Sequence, residues 1–218
     1  NDYDLIANHG RGMFSYATNG ALANWYELEW VDLDMPWWNE GMKEDFTVNG
    51  KLWCMSGDLS YQSLGATVAM IMNKKVCRDI GMEYPYQAVL NGEWTFELFE
   101  EMAMQASANL NGSEELVAEE GDQMGYITAQ YRGPLTVIYS GGSSLVHNDG
   151  SSLSLSVYTE RHISIFERFF ELTDQSNCKI YTQYSIAGLH QTFATGHILF
   201  MDTRLYDISY LQDNGMTD

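Results

Sequence analysis

Basic residues are scarce in this chain. Eleven Lys and Arg stand against thirty Asp and Glu, a formal charge of −19 over 218 residues. A field of that sign repels phosphate backbones and anionic lipid headgroups, which excludes nucleic acid and the membrane surface as expected partners. Long apolar runs are missing too, since none approaches the roughly 18 residues that a membrane span needs. Cysteine is sparse: Cys54, Cys77 and Cys178 form no CxxC pair and have no histidine at zinc-ligand spacing. They read as small buried residues, with one disulfide and a spare thiol as the alternative. Motifs for phosphate or acyl chemistry are lacking. Gly10-Arg11-Gly12 has no third glycine, no GxSxG elbow occurs, and His9, His147, His162, His190 and His197 are scattered without HExxH spacing. The chain opens on Asn1-Asp2-Tyr3-Asp4, with no initiator Met and no basic-then-apolar leader, and stops in a turn at Asn214-Gly215-Met216-Thr217-Asp218. From this we expect an internal piece of something longer.

What the chain does have is apolar and aromatic substance. Hydrophobic residues make up 45% of it and aromatics 13%, enough to bury a sizeable core and to exclude disorder. Residues 3–7 are mostly apolar and read as a buried strand of a parallel sheet. The loop Asn8-His9-Gly10-Arg11-Gly12 behind it would then face the ligand crevice of an open α/β sheet. Residues 13–29 read as a helix broken near Asn19-Gly20. Asn49-Gly50, set between apolar stretches at 46–48 and 51–55, predicts a two-residue hairpin. Residues 66–72 form a second apolar strand, and Asn73 caps a short helix over 74–80 with Gly81 at its C′ position. Thr95 caps the next helix: Glu97, Glu100 and Glu101 fill its early turns, Trp94 staples onto Phe99, and Phe96, Phe99, Ala103 and Ala106 recur at helical spacing.

Beyond a polar surface insertion at 109–122, residues 125–129 read as a strand and 134–139 as a helix or extended segment. Gly141-Gly142 is a turn, and 146–150 a strand end with a tight turn. A helix after Thr159 carries Ile163, Phe166, Phe169, Phe170 and Leu172 on one face. A short helix over 187–194 ends at Gly196, 197–201 is a third buried strand, and Asp202-Thr203-Arg204 opens a last helix through Leu211. Strands alternate with helices, so the class is α/β or mixed α+β. No repeat of solenoid period and no Pro- or Ser-rich linker is present.

Six Trp and fourteen Tyr exceed what a core of this size needs. Trp25, Trp30, Trp37, Trp38, Trp53, Tyr61, Tyr131, Tyr139 and Tyr206 sit beside turn residues. Most such rings pack in cores or against edge strands. The remainder suit a neutral polyol or peptide, because flat rings stack on the apolar faces of sugars while Asp, Asn, Arg and His satisfy the hydroxyls. Asn109-x-Asn111-Gly112 faintly suggests a calcium loop, but the following carboxylates miss the EF-hand positions. No cofactor is called for. Two carboxylates about 5–10 Å apart across a cleft would suffice for glycoside hydrolysis, and none of the thirty acids pairs off in that way. A carbohydrate-active enzyme, or a surface adhesin without a small ligand, remains the alternative to a binding module.

Several stretches carry a family resemblance. They are Tyr3-Asp4-Leu5-Ile6-Ala7 with His9-x-Arg11, Leu33-Asp34-Met35-Pro36-Trp37-Trp38, Asn49-Gly50-Lys51-Leu52-Trp53, Met70-Ile71-Met72-Asn73-Lys74 with Asp79-x-Gly81, Pro85-Tyr86, Gly92-Glu93-Trp94-Thr95-Phe96, and Phe193-x-x-Gly196-His197 through Phe200. Their order and spacing resemble the extracellular solute-binding proteins of ABC importers, in the carbohydrate-type family that includes maltose-binding protein. The resemblance implies a periplasmic-binding-protein-like type II fold, with two α/β lobes, a hinge, and a ligand in the cleft between them, here partly truncated. Residues 1–65 would be the later part of lobe one and 66–218 most of lobe two. It also implies capture of a sugar or oligosaccharide without chemistry, delivery to ABC permease subunits, and an extracellular, lipid-anchored full-length protein. By position, His9 and Arg11 match the loop that reaches ligand hydroxyls. Asp58 and Tyr61 lie at the hinge side, Tyr131 and Arg132 in a ligand loop of lobe two, and Arg204 and Tyr206 where a stacking aromatic follows the last strand. Trp37 is a further candidate, whereas Trp94 belongs to the helix staple.

Overall fold

The computed structural model describes residues 3–174, 178–181 and 186–216; Asn1, Asp2, Thr217 and Asp218 lie outside the described residues. Two compact units emerge, Asn1–Leu64 with Leu145–Val157, and Gly65–Ser144 with Tyr158–Asp218.

The first unit is built mostly from short local elements. Helix α1 (Gly10–Thr18) stacks Phe14 on Phe46 at the end of α2 (Glu40–Phe46), with ring centroids 5.2 Å apart. Asn39 caps α2 by accepting the Met42 amide (2.8 Å). The hairpin of β1 (Thr47–Val48) and β2 (Lys51–Leu52) turns through Asn49 (φ 51°) and Gly50 (φ 69°), as the Asn-Gly pair predicts. Leu52 is fully buried beneath Asn24, whose Oδ1 accepts the Leu52 amide (3.0 Å). The helix expected over 13–29 stops at Thr18; a single 3₁₀ turn at Trp25–Glu27 is all that follows. Residues 3–7 are not a strand. Tyr3 and Leu5 are about four-fifths exposed, because an isolated strand leaves its backbone groups unpaired and no described neighbour takes them. Short helix α3 (Tyr61–Gly65) leads out of this unit.

The second unit is a four-stranded sheet covered on both faces. Strand β3 (Val68–Met72) leads into α4 (Lys74–Asp79), capped by Asn73 with bonds from the Lys75 and Val76 amides. Gly81 takes φ 68° just past the helix end, where a left-handed residue closes the last carbonyls. Short α5 (Tyr86–Leu90) precedes α6 (Phe96–Ala106). The Leu98 amide donates to Thr95 Oγ1, and Trp94 meets Phe99 edge-on at 6.3 Å, as the capping signals require. Next come β4 (Met124–Ala129), buried along its whole length, and α7 (Arg132–Ser140). A Cβ at Gly125 would lie 2.0 Å from the Ala103 carbonyl, so only glycine lets α6 approach this closely.

The chain then gives β5 (Val146–Asn148) and β6 (Leu153–Leu155) back to the first unit as a hairpin. There Asn148 Nδ2 donates to the carbonyls of Glu44, Asp45 and Thr47 at the end of α2. Returning, it forms α8 (Glu160–Asp174), β7 (Cys178–Tyr181), α9 (Ile186–Phe193), β8 (Ile198–Arg204) and α10 (Ile208–Asp213).

Sheet order is β3-β8-β4-β7, with β4, β7 and β8 parallel and β3 antiparallel to β8. One face packs α4, α6 and α8 over Tyr126 and Phe200; the other packs α9 and α10 over Ile127 and Met201. Two expectations change here, and the reading of the cysteines as small buried residues holds. Residues 202–204 do not open a helix but complete β8, because β3 pairs with them (Val68↔Arg204, Ala69↔Thr203) and ladder bonding overrides a local capping preference. Helix α8 buries His162, Phe169 and Leu172, while Ile163 and Phe170 are about half exposed. All three cysteines are buried free thiols, so the alternative disulfide is absent. Burial raises the thiol pKa at Cys54, Cys77 and Cys178, at the last reinforced by Asp202.

Candidate functional site

Parallel strands β4 and β8 lie side by side, so their carboxyl ends deliver residues to one region, the edge at which open α/β sheets bind ligands. Beyond β4 come Tyr131 and Arg132; β8 ends on Arg204, and Tyr206 follows in a 3₁₀ turn at Leu205–Asp207. Two of these four meet. The Arg204 guanidinium lies over the Tyr206 ring, 4.4 Å from its centroid, and Tyr131 stands at the start of α7, beyond the adjacent parallel strand β4. Both tyrosines are about two-fifths exposed. Gly65 makes room for the ring, since a Cβ there would come within 3.2 Å of Tyr206 Cδ1.

Arg204 is held from one side by Asp207, with Nε to Oδ2 at 3.0 Å and Nη2 to Oδ1 at 3.2 Å. Burial of Arg204 works against its charge, but the Asp207 hydrogen bonds and charge outweigh this and raise its pKa. At Asp207, burial likewise opposes ionisation, and the bonds from Arg204 and Thr203 overcome it and lower the pKa. Thr203 Oγ1 donates to Asp207 Oδ2 (3.0 Å) and sits 2.9 Å from His190 Nε2. A hydroxyl has one proton, so with Thr203 donating to the carboxylate, His190 must donate Nε2–H to Thr203. Burial lowers the His190 pKa and so favours the neutral ring, in which this donation fixes the Nε2–H tautomer.

Arg132 takes a different direction. It is 6% exposed and its Nε donates to the fully buried Asp202 (2.8 Å), which also accepts from the Tyr126 hydroxyl (2.9 Å). Its Nη2 is buried without a hydrogen-bond partner among the described residues. The side chain therefore braces the strand ends from within.

In the first unit, the Asp58 amide donates to the Trp37 carbonyl (2.8 Å), and a Cβ at Gly57 would sit 2.0 Å from that oxygen. Trp37 is 44% exposed, Tyr61 78% exposed, and Asp58 and His9 are exposed. The backbone of Arg11 lies in α1, and its side chain is outside the described residues. Trp25 and Trp38 pack edge to face at 5.6 Å, and Trp38 Nε1 donates to the Asp32 carbonyl, which makes them structural.

Asp202, Thr203, Asp207 and His190 were not singled out from the sequence. The Arg204–Asp207 spacing of three is the one local signal for them, and it becomes informative only once β8 is known to end at Arg204. Two larger cavities have linings that share no residue with the tyrosine–arginine cluster. One, of about 540 Å³, is an open basin between α2 and Asn148. The other, of about 410 Å³, is lined by Trp94, Phe96, Phe99 and Tyr126 with Arg168 at its rim. Among the described residues no group of three or more His, Cys, Asp and Glu side chains could hold a metal ion, and no helix is long and apolar enough to cross a membrane.

The helix-covered sheet is an α/β fold, and its likeness is to structures of the periplasmic-binding-protein-like type II class. The comparisons with solved structures agree. The GacH receptor of Streptomyces glaucescens, solved unliganded and with acarbose, superposes with a TM-score of 0.63 at 16% identity, over 94% of this chain and 46% of its own. An ABC substrate-binding protein from Listeria monocytogenes in complex with cycloalternan gives 0.60 at 18% identity, over 94% and 48%. UspC of M. tuberculosis gives 0.60 at 16%, over 94% and 50%. The chain thus spans about half the length of the structures it matches. No protein-family model matches the sequence, and comparison with curated protein sequences gives no match.

Proposed function

We propose that this chain forms part of an extracellular solute-binding protein that captures a sugar or oligosaccharide for an ABC importer. The observation that carries the reading is the Arg204–Tyr206 stack at the carboxyl end of β8, with Tyr131 beyond the end of the adjacent parallel strand β4. One face of the Tyr206 ring is covered by the guanidinium. The stacking surface offered to a sugar is then the outer face of Arg204, backed by Tyr206, together with the Tyr131 ring. The fold shared with proteins solved with acarbose and cycloalternan supports the same ligand class. His9, Arg11, Trp37, Asp58 and Tyr61 are the first unit's proposed contributions, and Arg132 supports the site from behind. Delivery to permease subunits and a lipoprotein anchor belong to this reading as well.

The test is a thermal-shift screen with acarbose, cycloalternan, maltotetraose, a neutral peptide and a polyamine, followed by product analysis of each sugar. We expect stabilisation by a saccharide without turnover; a ligand at 100 times its Kd adds about 2.7 kcal/mol. Arg204→Ala and Tyr131→Ala should each weaken binding about tenfold or more, the scale of one lost stacking contact; Tyr131→Ala should leave the melting temperature of the free protein unchanged, whereas Arg204→Ala should lower it by stranding the buried Asp207 carboxylate while the sheet stays folded. Release of reducing ends would overturn the binder in favour of a carbohydrate-active enzyme. Unaltered affinity in both variants would move the site elsewhere.

A further inference from the structure

Arg204 is a cation at the edge of a ligand surface, a position from which it could draw an anionic sugar as readily as a neutral one. Its surroundings remove that option. Asp207 is 6% exposed and grips the guanidinium with both carboxylate oxygens. The same Oδ2 also accepts the Thr203 hydroxyl (3.0 Å) and the Arg204 amide (3.3 Å), so the carboxylate cannot rotate away without losing several bonds at once. Behind it the neutral His190 holds Thr203 in its donating orientation. Arg132, the other cation at these strand ends, is likewise matched one to one by Asp202. Every positive charge at the cluster therefore has its own buried carboxylate.

We infer that Asp207 is a specificity-determining residue, which pins Arg204 over the Tyr206 ring and cancels its charge so that the surface takes neutral saccharides and rejects uronates. This rests on the carbohydrate reading above and extends it to the ligand's charge. A neutral sugar needs the guanidinium as a flat, fixed donor array. A carboxylated sugar needs it as an unpaired bidentate partner, and Asp207 already occupies the Nε/Nη2 edge and sets a like charge beside any carboxylate that would approach the remaining one. Discrimination here comes from a repulsive element, the resident carboxylate, as well as from the attractive one.

The experiment measures affinities for maltotetraose and for a galacturonate trimer by calorimetry, on wild type, Asp207→Asn, Asp207→Glu, Arg204→Ala and the Arg204→Ala/Asp207→Asn double variant. Wild type should prefer the neutral sugar by about tenfold or more, and Asp207→Asn should shift the ratio towards the uronate by a similar factor. Asp207→Glu, which keeps the charge, should retain the preference. The double variant should lose the uronate gain, because that gain acts through Arg204. A ratio unchanged in Asp207→Asn, or a wild type that prefers the uronate, overturns the assignment.

A ligand-free readout separates the two claims and also serves if Asp207→Asn fails to fold. The Arg204 Nε–H resonance of the wild-type protein should be resolved and slow to exchange. If wild type binds neither sugar, the carbohydrate reading fails; a resolved Arg204 signal then upholds the pinning, and one averaged with mobile arginines overturns it.

Discussion

Asp202 and Asp207, within and just beyond the end of β8, each hold an arginine, and the difference in their surroundings separates framework from surface. Asp202 is fully buried between Arg132 and Tyr126, whereas Asp207 faces an arginine that is partly exposed. Removing one partner of a buried pair leaves an uncompensated charge, which costs about 3–5 kcal/mol. Removing a single neutral hydroxyl donor costs about 1 kcal/mol. Urea denaturation should therefore rank Asp202→Ala far below Tyr126→Phe in stability; a reversed order would mean that the Arg132–Asp202 pair holds nothing together. At this scale the sequence is only half legible. Tyr131 and Arg132 are neighbours in a strand-end loop, and both were expected to touch ligand. Successive residues at a helix start point about 100° apart, so the onset of α7 turns Tyr131 outward and Arg132 into the sheet. Only knowledge of where β4 stops and α7 begins tells them apart.

Elements whose ends carry their own signals were readable from the chain. The Asn-Gly hairpin, the Asn73 and Thr95 caps and the Gly81 terminus all depend on residues within four positions of one another. The segment at 3–7 and the end of β8 depend on which strand lies alongside, which no local pattern encodes. The insertion at 109–122 shows a third case, a loop ordered by one distant side chain. Asp122 has no exposed surface, and it accepts the amides of Leu110 (2.7 Å), Asn111 (3.1 Å) and Val117 (3.0 Å). The Val117 bond leads in lowering its pKa below the usual 3.8, against the opposing effect of burial. A carboxylate whose folded pKa is depressed stabilises the fold above its unfolded value, and that contribution is lost as pH falls through the folded one. Asp122→Asn should thus be less stable than wild type at pH 7, with the gap closing as the pH drops below 4. Melting curves over pH 2.5–7 check this, and a gap that persists undiminished at the acid end would show that the carboxylate charge is not what orders the loop.

For the whole molecule the decisive asymmetry is where apolar side chains are buried. Both clusters of buried hydrophobic residues lie in the second unit, with α4, α6 and α8 on one face of the sheet and α9 and α10 on the other. In the first unit the buried apolar residues among those described are Met13, Leu52 and Cys54, while Trp30, Leu59 and Tyr61 are largely exposed. Its order rests on hydrogen-bonded junctions, Asn24 to Leu52 and Asn148 to the end of α2. Each such bond contributes about 1 kcal/mol net, against about 1.5–3 kcal/mol for each large side chain the second unit buries. Local opening should therefore be far easier in the first unit. Hydrogen exchange followed by mass spectrometry should find the slowest amides in β4 and β8, protected about 100-fold or more beyond any in 10–64 or 145–157, since a difference of about 2.7 kcal/mol in opening free energy suffices for that factor. The repulsion within a chain of charge −19 acts on both units and is screened by salt, so raising ionic strength should slow exchange throughout without erasing the contrast. Equal protection in the two units, at any salt concentration, would contradict the assignment of stability to the sheet alone.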